Sequence, residues 1–222
     1  MRTIILNPKG GSGKTTIATN LAAYYAQQGE RPTLMDTDPQ GSSARWLRKR
    51  PADVAAIHSI SAFERSAGVT RSWQLRIPQD CSQVIVDTPA GLDAQQLRDV
   101  ARGADAILIP VMPSDIDIHA AAQCISDLLL VAKIRRSEGR IGIIANRVRS
   151  NTRGFASLLR FLGSLDIPML APLRDSQNYV RSAESGRGIH EMPTWQVQKD
   201  LEQWRTVTNW LNERARGLAS QD

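Results

Sequence analysis

The sequence predicts an α/β protein, with a doubly wound, mostly parallel sheet and helices on both faces of the sheet. Short runs that are apolar throughout or nearly so, such as residues 106–111, indicate strands that are buried on both faces. Helix-length amphipathic segments separate these runs, which is the alternation typical of parallel sheets. A glycine-rich turn joins the first apolar run to the first helical segment.

The elements follow one another along most of the chain. The predicted strands are residues 3–7, 32–36, 83–87, 106–111, 141–146 and 168–171. The predicted helices are residues 15–28, 43–49, 93–102, 118–136, 153–163 and 195–216, and Gly29 follows the first of them as a C-terminal capping glycine. Residues 51–80 show no clear period and receive no assignment. Because no repeat or linker interrupts the pattern, we expect residues 1–222 to form one domain.

Composition limits the class of protein. Apolar residues make up 41% of the chain, enough for a packed core. Cys81 and Cys124 lie far apart without metal-ligand spacing, which favours reduced thiols in a cytoplasmic protein. No signal segment and no run of 18 apolar residues is found, so we expect no membrane span. The net charge of +6 suggests a polyanionic partner, either nucleic acid or acidic lipid, unless the protein is simply basic.

The glycine-rich turn has the composition of a phosphate-binding loop. It reads Pro8-Lys9-Gly10-Gly11-Ser12-Gly13-Lys14-Thr15. Glycines let backbone N–H groups turn inward towards a phosphate, and the N-terminus of the following helix adds a partial positive charge. Lys14 is placed to reach the β- and γ-phosphates, and the Thr15 hydroxyl to ligate Mg²⁺. We therefore expect ATP and Mg²⁺ as cofactors, with nucleotide contacts from Gly10, Gly11, Ser12, Gly13, Lys14, Thr15 and Thr16.

One position departs from the ordinary phosphate-loop pattern. Pro8 stands where the ordinary pattern has glycine, and a second lysine, Lys9, precedes the glycines. This loop resembles the deviant Walker A loop of the ParA/MinD family of P-loop ATPases. The resemblance implies a nucleotide-dependent homodimer in which Lys9 crosses the interface to the nucleotide of the partner subunit. It also implies slow, Mg²⁺-dependent hydrolysis of ATP, stimulated by a partner protein.

Carboxylates follow two of the predicted strands. Asp36 and Asp38 end the second strand, and Asp87 ends the third. Ligands of a parallel sheet bind at the carboxyl ends of its strands, and hydrated Mg²⁺ is usually held by one or two carboxylates. By resemblance, Asp87 is the Walker B carboxylate and Asp36 supports the metal site. Asp38 orients the attacking water, and it completes a catalytic set with Lys9 and Lys14.

Other segments resemble the family at the nucleotide base and at the dimer interface. Residues 113–117 are similar to the Pro-Ser-x-x-Asp loop, which faces the interface. Asn146 and Arg147 resemble the pair at the adenine pocket, because amides pair with adenine edges and guanidinium groups stack on rings. Pro172 is a weaker candidate for the other wall of that pocket.

Three functions remain open within this resemblance. The first is a ParA-type positioning ATPase that is cytoplasmic and nucleoid-associated, binds DNA without sequence preference, and places Arg160 and Arg181 on the DNA. The second is a MinD-like membrane ATPase, although the chain ends polar and acidic at residues 219–222. The third is a metabolic or metal-transfer relative. Solvated surface charge is the alternative explanation for both arginines.

The first function leaves the cargo open. The chain starts two residues before its first strand, which leaves no room for an N-terminal DNA-reading module. This short form is typical of plasmid-partition ATPases and of the McdA type that distributes carboxysomes. The expected partner is therefore a ParB-like or McdB-like adaptor protein, and the sequence leans slightly towards a protein cargo.

Overall fold

Seven strands of the described chain form one sheet. They are β1 (Arg2–Ile5), β2 (Pro32–Asp36), β3 (His58–Ser61), β4 (Gln83–Asp87), β5 (Ala106–Val111), β6 (Ile141–Val148) and β7 (Met169–Arg174). The computed structural model describes residues 1–64 and 70–220, and its strand order is β3-β2-β4-β1-β5-β6-β7. Every neighbouring pair is parallel, so the carboxyl ends of all seven described strands lie at one edge.

The burial of the strands follows their place in the sheet. Every residue of β2, β4 and β5 is buried, as expected for strands covered on both faces. The edge strand β3 instead exposes His58 and Ser59. This polar edge explains why residues 51–80 showed no clear strand period in the sequence.

Helices cover both faces of the sheet, which confirms the predicted fold class. They are α1 (Lys14–Gln27), α2 (Ser42–Arg48), α3 (Arg71–Gln74), α4 (Ala94–Arg102), α5 (Asp115–Leu130), α6 (Arg153–Gly163), α7 (Gln177–Glu184) and α8 (Thr194–Ala219). One apolar cluster joins α4, α5 and α6 to the sheet, and the other joins α1, α2 and α8 to it. Short 3₁₀ turns lie at Arg136–Glu138 and Ile189–Glu191.

Two of the predicted elements need new bounds, and one helix between β7 and α8 was missed. The helix predicted over 118–136 is α5, which begins at Asp115 because the Ser114 side chain accepts from the N–H of Asp117 at 3.2 Å. It ends at Leu130, and the chain then turns with a positive φ of 56° at Lys133. The strand predicted over 141–146 extends to Val148, so Asn146 and Arg147 lie within β6. Helix α7 was not predicted.

The long C-terminal helix α8 packs on the body of the protein. Its apolar stripe includes Val197, Trp204, Val207 and Leu211, all fully buried. The prediction of a packed helix is therefore confirmed. Most of the apolar residues that a membrane-binding segment would use are buried in the core. None of the helices within residues 1–64 and 70–220 is long and apolar enough to cross a membrane.

The segment that follows α7 is fastened to the segment that follows α2. Arg50 donates to Glu191 at 3.0 Å in a buried ion pair, and Arg187 donates to Asp53 at 2.5 Å. Gly186 adopts a positive φ of 66°, and a Cβ there would lie 2.5 Å from the carbonyl carbon of Lys49. These contacts hold the end of α7 against the end of α2, beside the carboxyl edge of the sheet.

Candidate functional site

A cleft of about 380 Å³ opens at the carboxyl edge of the sheet, over the loop between β1 and α1. It is lined by Gly10, Gly11, Ser12, Gly13, Lys14, Thr15, Thr16, Asp38, Gln40, Ser42, Ala90 and Arg147. All seven residues predicted as nucleotide contacts in the phosphate loop therefore face one space. Gln40, Ser42 and Ala90 were not predicted as lining residues, although they stand close to Asp38 and Asp87 in the sequence.

The backbone of the loop requires glycine at two positions. Gly11 and Gly13 have φ of 78° and 98°, a region that other residues rarely adopt. A Cβ on Gly13 would also lie 2.1 Å from Nδ2 of Asn146. That amide donates to the carbonyl of Ser12 at 2.8 Å. Asn146 therefore braces the loop from below, a contact that its predicted role at the adenine pocket does not include.

Lys14 lies along the loop at the start of α1. Its amino group donates to the carbonyls of Asn7 at 2.9 Å and Lys9 at 3.1 Å, and only 7% of the residue is exposed. Burial lowers the pKa of Lys14, while the charges of Asp87 and Asp38 act in the opposite direction. A cation held in this way lies at the cleft with its charge only partly neutralised, which suits a phosphate ligand.

Lys9 lies elsewhere and does not line the cleft. Its amino group donates to Oδ2 of Asp117, in the first turn of α5, at 3.0 Å. Asp117 is 2% exposed and also accepts a hydrogen bond from the Ser114 hydroxyl, while its Oδ1 has no hydrogen-bond partner among the described residues. The two lysines of the loop therefore have separate partners, and Lys9 is tied to the 113–117 loop.

The carboxylates at the ends of β2 and β4 are neighbours, since Asp36 and Asp87 are register partners. Burial raises the pKa of Asp87 to about 6, and the charge of Asp36 adds to this, whereas hydroxyls of Thr15 and Ser43 and the charge of Lys14 oppose it. The Ser43 hydroxyl donates to Oδ2 of Asp87 at 2.9 Å. The other oxygen, Oδ1, is buried and has no hydrogen-bond partner within residues 1–64 and 70–220.

This donor set fits hydrated Mg²⁺. The unpartnered oxygen of Asp87 stands beside the Thr15 hydroxyl, and Mg²⁺ takes few protein ligands and keeps most of its water. Within residues 1–64 and 70–220, no group of three or more His, Cys, Asp or Glu side chains forms a cage for a metal ion. Thr15 and Asp87 would thus hold the ion together with the phosphates of a nucleotide.

Asp36 and Asp38 have different surroundings. Asp36 is 1% exposed, and its oxygens accept from the backbone N–H groups of Asp38 at 3.1 Å and Ala44 at 2.9 Å. It therefore positions the turn between β2 and α2, and its role in supporting a metal stays a prediction. Asp38 lines the cleft, and its Oδ1 accepts from the N–H of Gln40 at 2.9 Å.

A second cavity of about 370 Å³ adjoins the cleft and shares Thr16 and Arg147 with it. Asn146 and Arg147 line it, as expected of a site for the nucleotide base, but Pro172 does not, because it pairs with Ala145 inside the sheet. The other walls are Lys49, Arg174, Asp175, Ser176, Gln177, Tyr179, Val180, Ala183 and Glu184. Most of them belong to β7, α7 and the turn between these elements. These elements meet α1 only through tertiary packing, so local sequence patterns did not reveal them.

The two predicted DNA contacts lie on different layers of the molecule. Arg160 is exposed on α6, which packs against one face of the sheet, and its guanidinium donates to Ser157 at 3.2 Å. Arg181 is exposed on α7, whose Tyr179 packs with the cluster on the other face. The two arginines therefore do not form one local cluster.

Residues 3–189 match the family described as the CobQ/CobB/MinD/ParA nucleotide binding domain, which is most of the chain. The chain belongs to this family. It is 38% identical over 126 residues to the maintenance of carboxysome distribution protein A of Gloeobacter kilaueensis, covering 57% of this chain and 56% of that protein. The chromosome-partitioning ATPase Soj of Thermus thermophilus is 32% identical over 177 residues, or 74% of this chain and 68% of Soj.

The fold is also that of a solved structure. A plasmid partition protein from Borrelia burgdorferi, bound to AMPPNP, has a TM-score of 0.70 at 14% identity, covering 94% of this chain and 98% of that one. The chain therefore has the fold of a nucleotide-binding protein, and its relatives in the family include a carboxysome-distribution protein and a chromosome-partitioning ATPase.

The elevated pKa of Asp87 predicts a pH dependence of metal binding. Near pH 6 the ligand-free carboxyl is half protonated, so a cation must displace a proton in order to bind. We expect Mg²⁺-dependent nucleotide affinity to fall as the pH drops from about 7 to about 5, approaching tenfold per unit below about 6. Isothermal titration calorimetry with a nonhydrolysable ATP analogue measures this affinity at each pH. Asp87→Asn should bind weakly at every pH, and a wild-type affinity that is flat across this range contradicts the assignment.

Proposed function

We propose that this protein is an ATPase that forms an ATP-dependent sandwich dimer on nonspecific DNA and positions an intracellular cargo. An adaptor protein of the ParB or McdB kind stimulates its hydrolysis of ATP. The cargo is a protein organelle such as the carboxysome, or a plasmid or chromosome, as the names of the carboxysome and Soj relatives suggest. The protein is cytoplasmic and associates with the nucleoid.

The observation that carries this proposal is the position of Lys9. Lys14 serves the cleft of its own chain, whereas Lys9 is bound by Asp117 outside that cleft. Its side chain is 35% exposed, so it is accessible from outside the subunit. A second lysine on the phosphate loop that does not reach its own phosphate site suits a contact made to a partner's nucleotide.

The residues of the cleft divide the work of phosphoryl transfer. Lys14 and the partner's Lys9 stabilise negative charge that develops on the γ-phosphate. Asp38 orients the attacking water, and Thr15 and Asp87 would hold Mg²⁺, which would neutralise phosphate charge when bound. The loop N–H groups at residues 10–16 bind the phosphates, and Asn146 and Arg147 bound the space for the base.

Lys9→Ala tests the dimer directly. Without the crossing amine, we expect no ATP-dependent dimer by multi-angle light scattering and a fall in turnover of roughly 10²–10³, as when one preorganised donor is removed. Binding of a fluorescent ATP analogue to the monomer should persist. Lys199→Ala, at an exposed lysine of α8, is the matched control. A normal ATP dimer in Lys9→Ala would refute the assignment.

Charge reversal tests the nucleic-acid partner. We expect Arg160→Glu and Arg181→Glu each to weaken ATP-dependent binding to duplex DNA about tenfold or more, and to reduce the salt dependence by about one phosphate contact. Fluorescence anisotropy at stepped salt measures both. Arg136→Glu, at an exposed arginine in the 3₁₀ turn before β6, is the control. If the wild type and the three variants bind DNA with equal affinity, Arg160 and Arg181 do not contribute to DNA binding.

The alternative is a MinD-like ATPase that binds a membrane surface. Flotation with anionic vesicles and ATP separates the two proposals. We expect the protein to stay in the lower fraction, because the apolar stripe of α8 is buried in the core. Co-flotation in the presence of ATP would favour the membrane function.

A further inference from the structure

A third cavity, of about 190 Å³, lies between α1, α2 and the end of α7. Its polar lining includes three cations and several hydroxyls but no carboxylate, namely Thr19, Ser42, Arg45, Lys49, Ser182 and Arg187. It touches the nucleotide cleft only at Thr15, Thr16 and Ser42, so the loop glycines are not part of it. It also shares Thr16, Lys49 and Ala183 with the second cavity. This space is therefore distinct from the phosphate loop, although it adjoins the site expected for the base.

The cations of this cavity differ in how far they are already neutralised. The Lys49 side chain is exposed, and its amino group has no hydrogen bond or ion pair to any residue within 1–64 and 70–220. Arg187 donates to Asp53, whose side chain is 66% exposed, so that pair is screened by solvent. Arg45 donates to the Gln40 carbonyl and, at 3.0 Å, to the Ser42 hydroxyl, both neutral acceptors. An excess of positive charge therefore faces a space that is large enough to admit a phosphate group.

We propose that this cavity takes a backbone phosphate of the bound DNA, with Lys49 and Arg187 as the contacting cations. The inference rests on the proposed function, since it names where the DNA of that function is held. Arg181, the predicted DNA contact, is carried by α7, the same helix that contributes Ser182 and Ala183 to the cavity wall. Phosphate contacts of this kind need clustered cations and hydroxyl donors and no base recognition.

A lipid headgroup is the less suitable occupant. Membrane binding needs exposed apolar side chains beside the cations. The apolar members of the lining are Trp46, which is 5% exposed, and Ala183, and none of the large exposed apolar residues, such as Ile116 or Trp195, contributes. The walls are thus polar and cationic where the solvent has access.

Arg45 links this cavity to the nucleotide. Its guanidinium is held by Gln40 and Ser42, and both of these residues also line the nucleotide cleft beside Asp38. If nucleotide binding shifts the 38–42 turn, Arg45 will move with it. The affinity of the cavity for phosphate will then depend on whether ATP is bound.

The test compares Lys49→Ala, Arg187→Ala and Asp53→Asn with the control Lys199→Ala in the full-length protein. Binding to a labelled duplex of mixed sequence is measured by anisotropy with a nonhydrolysable ATP analogue, at stepped salt. We expect Lys49→Ala and Arg187→Ala to weaken binding about tenfold and to lower the salt slope by about 1 each. Asp53→Asn should tighten binding, because it frees Arg187, and a merely damaged fold would not do this.

The outcomes separate this inference from the proposed function. If the wild type binds DNA and all three variants match Lys199→Ala, the cavity is not a phosphate site although the function stands. If the wild type binds no DNA, both fall. If Lys49→Ala lowers flotation with anionic vesicles and leaves DNA binding unchanged, the occupant is lipid and the inference is overturned. For Arg45→Ala, the ratio of the DNA affinities with and without nucleotide is compared with that of the wild type. An unchanged ratio rejects the link between Arg45 and ATP.

Discussion

Lys14→Ala is expected to abolish ATP turnover and to reduce nucleotide affinity by roughly 10²–10³, the effect of losing a preorganised charged donor at a transferring phosphoryl group. The loop holds the Lys14 amine against the carbonyls of Asn7 and Lys9, at the wall of the cleft. Burial lowers the pKa of Lys14 because it removes water from the amine, so a phosphate gains a strong interaction with this poorly solvated charge. Malachite-green assays of phosphate release and calorimetry with the ATP analogue measure the two losses.

The control for this variant must separate the loss of charge from the loss of structure. Lys14→Gln keeps a long polar side chain that can still donate to the two carbonyls, but it carries no charge. We expect it to melt close to the wild-type temperature and to fail in turnover as Lys14→Ala does. Substantial turnover by Lys14→Gln would show that the charge of Lys14 is dispensable and would reject the site.

Asp38→Ala is expected to stop hydrolysis while leaving ATP binding intact, so that an ATP-bound dimer accumulates. Asp38 lines the cleft at the turn after β2, and only one of its oxygens is engaged by the backbone of that turn. The other oxygen remains for the attacking water, whose orientation is the contribution that the variant removes. Light scattering after ATP addition, together with phosphate release, measures the two effects.

Asp38→Asn sharpens this experiment. The asparagine Oδ1 still accepts from the N–H of Gln40, so the turn is preserved, while the carboxylate charge is lost. Both variants should give the stable dimer if the charge of Asp38 serves the water. A dimer in Asp38→Ala that is absent from Asp38→Asn, or only monomer in both, would assign Asp38 to the turn alone.

The parts of the site that could be predicted from the sequence are those built from contiguous residues. The phosphate loop needs its glycines and lysines at fixed spacing on one short segment, and Asp87 follows an apolar strand directly. Their chemistry is local, so residue types and order were enough to predict the loop that lines the cleft and the carboxylate beside its Thr15 hydroxyl. The buried strands were equally visible, because β2 and β4 are mostly apolar and β5 is apolar along its whole length.

The parts that could not be predicted depend on tertiary contacts. Asn146 resembled an adenine-binding residue, but its hydrogen bond to Ser12 follows from the packing of β6 under the loop. Lys49 joins the site because Gly186 lets the end of α7 close on α2, which no local pattern reveals. Strand β3 was missed because a polar, half-exposed edge strand lacks the continuous apolar run that marks the others.

The central place of β1 has a consequence for how the protein folds. β1 lies between β4 and β5, which end at residues 87 and 111, and not beside β2, the next strand along the chain. Without β4 and β5, β1 has two unpaired edges, and the phosphate loop has no sheet beneath it. Such non-local pairing slows folding, so both strands must join β1 before a nucleotide can stabilise the fold.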